Sequence, residues 1–146
     1  MKDIVGHLKK EFKSQIIEVY THNAKRIYVK IPREALVKVA EFLYKKARCR
    51  FAIASGMDTR DGLEIIYHFS DDAGSGVMIN LKISVPHKDP QVESLTCLFK
   101  GAEWIEREMH ELLGIKFKNH PNLVTLLLPE DWPKGVYPLR RNYKNE

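Results

Sequence analysis

Long hydrophobic runs are missing from this 146-residue sequence. Its apolar stretches are only a few residues long, as in LVTLLLP from Leu123 to Pro129, whereas a membrane-spanning helix needs about 20 apolar residues. The residues after Met1 are mixed polar and charged ones, which does not match a secretory signal. We therefore expect a cytoplasmic protein that meets a membrane only indirectly, through a partner.

Cysteine is scarce, and metal-binding motifs are absent. Cys49 and Cys97 are too few and too far apart for an iron–sulfur cluster or a structural zinc site, so we expect two small buried hydrophobic residues and no disulfide. None of the six histidines belongs to a metal-ligand motif; Glu106 and His110 lie four apart on the last predicted helix, but such pairs arise by chance in a charged helix. We expect no metal site and no cofactor.

Catalytic motifs are missing as well. The serines show no nucleophile elbow, and GSG at Gly74–Gly76 joins two predicted strands instead of opening a helix, so it is not a phosphate-binding loop. We therefore expect no catalytic residue in this chain.

Basic residues are in excess, with 24 Lys and Arg against 19 Asp and Glu and a net charge of +5. That excess is compatible with nucleic-acid binding. However, the basic residues are dispersed among acidic ones, and no strand pairs aromatic residues with lysines as RNA-reading sheets do. A stand-alone basic nucleic-acid-binding or adaptor domain therefore remains the alternative interpretation, and the main expectation is that no nucleic acid is bound.

The first half of the chain alternates between helical and strand patterns. Residues 4–12 place their apolar side chains on one helical face, with Asp3 as the predicted N-cap. KRIYVKI, from Lys25 to Ile31, alternates as a strand does. Pro32 then precedes apolar residues at helical spacing through Ala47, which predicts a second helix.

Three strands and a long helix are predicted next. RFAIAS, LEIIYHFS and GVMINLKISV read as strands separated by turn residues, and apolar residues at helical spacing from Gln91 predict one helix that ends at Gly114. The predicted order is α-β-α-β-β-β-α. This order indicates an α+β fold with a mainly antiparallel four-stranded sheet covered by helices.

The remaining residues, 115–146, are predicted to form an extended arm beyond a core domain of residues 1–114. Four prolines leave no room for a long regular element, yet the stretch is rich in leucine and aromatic residues. One interpretation is that it packs back onto its own domain, at least through the leucine run. The other, which we favour, is that it docks on a different polypeptide, with Trp132, Tyr137 and Leu139 as anchors.

The last 45 residues or so carry a specific resemblance. They resemble the thirty-kilodalton subunit of respiratory complex I, which is the C subunit of NADH:quinone oxidoreductase, and its counterparts in membrane-bound energy-converting [NiFe] hydrogenases. The residues that carry the resemblance are Glu106-Arg107-Glu108, Gly114-Ile115, Phe117, His120-Pro121, Leu123, Leu127, Trp132 and Pro138-Leu139-Arg140. His110-Glu111 and Asn122 depart from the complex I pattern, which favours the hydrogenase branch and leaves quinone- or F420-linked branches open.

The resemblance implies a non-catalytic member of the peripheral arm of a membrane-bound oxidoreductase that takes part in electron transport. It implies docking on the large subunit, of the quinone-site or NiFe type, beside iron–sulfur subunits at the cytoplasmic face. An isolated chain would then be open to self-association. The predicted partner-binding residues are Glu106, Arg107, Glu108, His120, Pro121, Trp132, Tyr137, Pro138, Leu139, Arg140, Arg141 and Tyr143.

Overall fold

The computed structural model describes residues 3 to 144 as an α+β protein, which confirms the predicted fold class. The helices are α1 (Ile4–Glu11), α2 (Leu36–Glu41) and α3 (Ala102–Leu113). The strands are β1 (Glu18–Asn23), β2 (Arg26–Lys30), β3 (Arg50–Asp58), β4 (Leu63–Ser70), β5 (Met78–Val85), β6 (Gln91–Glu93) and β7 (Lys116–Lys118). The outermost residues of the predicted domain and arm, 1–2 and 145–146, lie outside the described residues. Within residues 3–144 no helix has the length and apolar character needed to cross a bilayer.

The main sheet has the strand order β1-β2-β5-β4-β3 and is mostly antiparallel, as predicted, although β2 and β5 pair in parallel. It has five strands instead of the four predicted, because β1 shows no strand pattern in the sequence. Only Val19 of β1 is even half-buried, so the strand has no apolar face of its own. It forms through pairing with β2, across a turn in which the Asn23 side chain accepts the Lys25 N–H at 2.9 Å.

The described residues form two compact units. The first runs as far as Ile53 and includes Ile66–Ile83. Its α1 begins as predicted, because the Asp3 side chain accepts the Gly6 N–H at 2.8 Å. A short 3-10 turn, Arg33–Ala35, leads into α2, and a π-helical turn, Phe42–Lys46, follows it. The core of this unit is apolar and fully buried, and it includes Leu8, Val29, Ile31, Leu36, Val39, Leu43, Tyr67, Phe69, Ile79 and Leu81.

The second unit comprises Ala54–Ile65 and the described residues from Ser84 onward. Its two-stranded parallel sheet pairs β6 with β7, with Val92 opposite Phe117. Both of these side chains are buried, together with Leu95, Met109, Leu113 and Ile115. This small sheet and α3 therefore share one apolar core.

The last helix differs from its prediction in where it starts. It ends at Gly114, in the left-handed conformation (φ 72°), as predicted. It begins only at Ala102, however, because residues 91–93 form β6 and residues 95–101 form turns. Val92 and Leu95 fall at helical spacing and are buried, but Val92 belongs to a strand and Leu95 to a turn. The spacing of apolar residues alone could not distinguish a continuous helix from a strand followed by turns.

Candidate functional site

Beyond β7 the chain runs from Asn119 to Lys144 without a regular helix or strand, and we call this stretch the C-terminal segment. Its prolines at positions 121, 129, 133 and 138 prevent it from joining a helix or a sheet. Its backbone polar groups therefore need other partners. Side chains and carbonyl groups elsewhere in the second unit supply many of them.

The segment starts with a turn built around His120. Asn119 adopts a left-handed conformation (φ 63°), which redirects the chain. The His120 side chain is fully buried; its Nε2–H donates to the Glu103 carbonyl at 3.0 Å, and its Nδ1 accepts the Asn122 N–H at 3.0 Å. These two bonds require the neutral tautomer with its proton on Nε2. His120 therefore ties the start of the segment to the first turn of α3.

Glu106 is buried beneath this turn. Its carboxylate accepts the Leu95 N–H at 2.7 Å and the Ser94 hydroxyl at 2.6 Å, and it lies 3.9 Å from Nε2 of His120. Burial raises the pKa of Glu106 to about 7, although the two hydrogen bonds act in the opposite direction. Glu106 thus points inward and holds the turn that precedes α3.

Arg107 and Glu111 lie one helical turn apart on α3 and together bind five consecutive residues of the segment. Arg107 donates to the carbonyls of Val124 at 3.1 Å and Thr125 at 2.7 Å. Glu111 accepts the N–H groups of residues 126, 127 and 128 at 3.1, 2.8 and 2.8 Å. Burial acts to raise the pKa of Glu111, but these N–H groups and the charge of Arg107 outweigh it, and the pKa lies below its ordinary value.

A second attachment forms where α3 ends. The Tyr137 ring packs against Gly114, where an added Cβ atom would lie 2.5 Å from Cε2 of the ring. Arg140 stacks over the same ring at 5.4 Å and donates to the Leu113 carbonyl, while the Leu139 N–H donates to the Leu112 carbonyl at 3.0 Å. Carbonyl groups left free at the end of the helix are thus bound by the segment.

Asp58, at the end of β3, makes the third attachment. Its nearly buried carboxylate accepts the Arg141 N–H at 2.8 Å and contacts Nε2 of His87 at 2.5 Å. Burial acts to raise the pKa of Asp58; the hydrogen bonds from His87 and Arg141, with the charges of His87 and Arg140, outweigh it and lower the pKa overall. The sequence pattern does not single out Asp58 or His87, because both lie in turn-like stretches far from the segment.

Between these attachments the segment forms a groove with α3. Trp132 is half-buried, donates from Nε1 to the Val136 carbonyl at 2.8 Å and lies 6.4 Å from the Tyr143 ring. The groove has a volume of about 660 Å³, and Leu123, Leu128 and Tyr137 contribute to its lining. It is therefore an apolar concavity on the surface of the second unit.

Several large apolar side chains of this unit remain exposed although the backbone beside them is bound. Leu127 is 64% exposed and Leu139 is 56% exposed; Val124 and Trp104 are exposed as well. Trp132 and Tyr137 are half-buried, so the three predicted anchors are not buried within the protein. The remaining predicted contact residues fall into three groups. Hydrogen bonds within the chain are made by Glu106, Arg107, His120 and Arg140. The side chains of Pro121 and Arg141 are exposed, and those of Glu108, Pro138 and Tyr143 are half-buried.

The arrangement offers hydrogen-bonding groups and apolar surface that are suited to binding. Among residues 3–144 no group of three or more His, Cys, Asp or Glu side chains could hold a metal ion. Sequence reasoning missed Ser94 and Glu111 as contributors to the site. The i, i+4 spacing of Arg107 and Glu111 was a usable signal, because it places both charges on one face of α3.

Solved structures of other proteins share this fold. The chain superimposes on two solved structures of the same α+β fold. One is a trypsin-resistant fragment of Nqo5, with a TM-score of 0.67 and 24% identity over 82% of this chain and 99% of that one. The other belongs to the membrane-bound sulfane sulfur reductase, an archaeal respiratory membrane complex, with a TM-score of 0.85 and 17% identity over 97% of this chain and 84% of that one.

Comparison of the sequence with known families then identifies the family. The family described as respiratory-chain NADH dehydrogenase, 30 Kd subunit, matches residues 29–146, and the chain belongs to it. This confirms the resemblance found in the sequence.

Named relatives agree with this assignment. The C subunit of the F(420)H(2) dehydrogenase of Methanosarcina mazei is 35% identical over 98% of this chain and 91% of the relative. The C subunit of the NADH-quinone oxidoreductase of Geobacter sulfurreducens is 28% identical over 93% of this chain and 85% of the relative. Its counterpart in Chloroherpeton thalassium is 35% identical over 76% of this chain but only 47% of the relative.

Proposed function

We propose that this protein is a non-catalytic subunit in the peripheral arm of a complex I-like, membrane-bound oxidoreductase. The observation that carries the proposal is the family match over residues 29–146, which includes α3 and the whole C-terminal segment. Relatives that align over most of their length are subunits of an F(420)H(2) dehydrogenase and of an NADH-quinone oxidoreductase. The protein would lie at the cytoplasmic face of the membrane and reach it only through its partners.

The C-terminal segment is the proposed docking surface for the large subunit, with iron–sulfur subunits as neighbours. Arg107, Glu111 and Asp58 hold its backbone, so little conformational entropy is lost when a partner binds. Leu127 and Leu139 have exposed side chains, and they supply the apolar surface that anchors an interface. Arg141 adds an exposed cation beside them.

We propose that the electron donor of the complex is reduced F420. The alignment to the F(420)H(2) dehydrogenase relative spans nearly the whole of both chains at 35% identity. This branch can be tested by supplying reduced F420, NADH or hydrogen separately to the purified complex. If NADH or hydrogen reduces the iron–sulfur centres of the complex and reduced F420 does not, the F420 assignment is rejected.

The docking proposal is tested by affinity purification of the tagged full chain from its host's membranes. The double variant Leu127→Asp/Leu139→Asp should recover partner subunits about 100-fold less well, because two apolar anchors become charged. Ile17→Asp makes the same kind of change at a residue that is 61% exposed in the first unit, and it should leave recovery unchanged. Normal recovery by the double variant, with circular dichroism showing a native fold, would reject the segment as the docking surface.

A further inference from the structure

A second groove of the second unit lies between β3 and α3. It shares no lining residue with the groove that contains Trp132. Its described lining comes from residues 54–56, from one face of α3 and from Leu139, and its volume is about 250 Å³. Pockets that bind small molecules measure roughly 300–1,000 Å³. This smaller groove is therefore suited to a single side chain of a partner, and we call it the Glu108 groove.

The floor of the Glu108 groove is apolar and closely packed. At Gly56 the strand β3 lies so near α3 that an added Cβ atom would be 2.7 Å from Cδ1 of Leu113 and 2.9 Å from Sδ of Met109. Both of these side chains are buried. The other large apolar residues of the lining keep part of their surface exposed, and they are Ile105, Leu112 and Leu139. The groove can therefore pack against the methylene groups of a long side chain.

Glu108 supplies the charge of the groove. Among the described residues that line it, Glu108 is the only ionisable one, and it is half-buried. Within residues 3–144 its carboxylate has no hydrogen-bond or ion-pair partner. Arg107 and Arg140 also contact α3 or its C-terminal end, but both donate to backbone carbonyls. A cation brought by a partner would therefore replace the water that a docked interface removes from this carboxylate.

An exposed aromatic ring lies one helical turn before Glu108. Trp104 is 68% exposed. Residues four apart on a helix are neighbours, with about 5–6 Å between their Cβ atoms, and helical side chains lean toward the N-terminal turn. A group that pairs with Glu108 is therefore within reach of the Trp104 ring, and among aromatic rings that of tryptophan attracts cations most strongly.

These three features together match an arginine side chain. A guanidinium group binds a carboxylate through two parallel N–H groups, and its planar shape also stacks on aromatic rings. A lysine ammonium group lacks this planar fork. Arginine and tryptophan are also among the residues that contribute most of the binding energy at protein interfaces.

The Glu108 groove is continuous with the proposed docking surface. Leu139 belongs to both, because it lines the groove and is one of the exposed leucines of the C-terminal segment. A partner that covers the exposed part of Leu139 therefore also reaches the groove.

We propose that the Glu108 groove receives an arginine side chain of the large subunit, which pairs with Glu108 and stacks on Trp104. This inference rests on the proposed function, because it names one contact of the docked partner. It adds a charged, specific contact to an interface that is otherwise anchored by leucine side chains.

Recovery of partner subunits by the tagged full chain from its host's membranes gives the first test. Glu108→Gln should recover them about tenfold less well, because the partner's arginine loses its carboxylate. Glu103→Gln makes the same change at another half-buried residue of α3, five positions away and therefore on a different face, and it should leave recovery unchanged. The isolated Glu108→Gln chain should keep the wild-type free energy of unfolding, because the contact that it removes exists only in the complex.

A cross-link identifies the occupant of the groove. With Trp104 replaced by benzoylphenylalanine, the tagged full chain within its complex should link to a peptide of the large subunit that contains an arginine at or beside the attachment point. Glu108→Arg should recover partner subunits even less well than Glu108→Gln, because two cations then face each other. Replacing the partner's arginine with glutamate should restore recovery by Glu108→Arg about tenfold.

Equal recovery by Glu108→Gln and Glu103→Gln would overturn the inference. A cross-link to a second copy of this chain, or to a segment without arginine, would overturn it as well. A wild-type chain that recovers no partner subunits contradicts the proposed function itself, whereas normal recovery by Glu108→Gln contradicts only this inference.

Discussion

Three buried or nearly buried carboxylates of the second unit bind backbone N–H groups in stretches that lack regular structure. Glu106 holds the turn before α3, whereas Glu111 and Asp58 hold the C-terminal segment. Their pKa values move in opposite directions because the balance of burial and hydrogen bonding differs. Glu106 is fully buried with two donors, and its pKa is raised; Glu111 accepts three N–H groups, and its pKa is lowered.

The raised pKa of Glu106 predicts a pH dependence of stability. In the unfolded chain Glu106 ionises near 4.5, but in the folded protein it keeps its proton up to about pH 7. The folded state therefore binds more protons between these values, and the free energy of unfolding falls as pH rises through this window, by about 1.4 kcal/mol per unit of pKa difference. Glu106→Gln should remove this slope, as measured by urea denaturation at pH 5 and pH 7.5.

Glu108→Gln is the matched control for this prediction, because Glu108 lies on the same helix and is only half-buried. It should leave the slope unchanged. An unchanged slope in Glu106→Gln would show that Glu106 is ionised in the folded protein.

Substitution of Glu111 should release the leucine run. Glu111→Gln leaves an amide where the carboxylate accepts three N–H groups, and charge-assisted hydrogen bonds of this kind contribute about 1.5–3 kcal/mol each. Amide hydrogen exchange at residues 126–128 should become at least about tenfold faster, while exchange in α2 stays the same. Glu108→Gln serves again as the control, and equal protection of the leucine amides in both variants would contradict the prediction.

At the scale of elements, α3 organises the second unit. Its N-terminal turn binds His120, its middle binds residues 124–128 and its last carbonyls bind Leu139 and Arg140. The segment thus follows the helix without becoming regular itself, because polar groups of the helix take the place of a hydrogen-bonded strand partner.

The end of α3 can be tested by Gly114→Ala. Gly114 combines a left-handed backbone with a close approach of Tyr137, so an added methyl group strains the chain and displaces the ring. We expect a loss of about 1–3 kcal/mol in the free energy of unfolding, together with faster proteolysis of the segment. Gly101→Ala is the control, because a Cβ atom there meets nothing within 4 Å and the backbone is right-handed (φ −60°). Equal melting temperatures of the two variants would contradict this expectation.

At the scale of the whole molecule, exposed apolar side chains agree with the docking surface proposed for the second unit. Leu127, Leu139 and Trp104 each leave more than half of their surface exposed on the second unit. Apolar side chains that form a contiguous exposed patch mark an interaction site, whereas single ones are common on protein surfaces.

The isolated protein should therefore self-associate as its concentration rises. Leu139→Asp should shift sedimentation toward the monomer, because a charged group cannot be buried in an apolar contact without a large desolvation cost. Thr125→Asp, at an exposed site of the same segment, should change it little. A wild-type chain that stays monomeric at millimolar concentration would count against an uncovered interface.

Local signals in the sequence predicted much of the fold. The Asp3 N-cap, the helix end at Gly114 and the alternation in β5 each depend on a few neighbouring residues, so they were identified correctly. The strand β1 and the start of α3 were not predicted correctly. β1 depends on pairing with β2, and residues 91–93 became a strand because β7 pairs with them.

Some features of the candidate site could likewise be predicted from the sequence, and others could not. The apolar, proline-kinked character of the segment followed from residue types alone. The roles of Asp58, His87 and Ser94 did not, because each contacts a residue more than ten positions away in the chain.

The sequence by itself determined the helix caps, the strand alternation and the family, since these depend on short-range sterics, hydrogen bonding and the order of residue types. Only the tertiary structure decided which charges are buried and which leucines stay exposed. These properties depend on distances between residues far apart in the chain, which folding sets through the packing of the whole core.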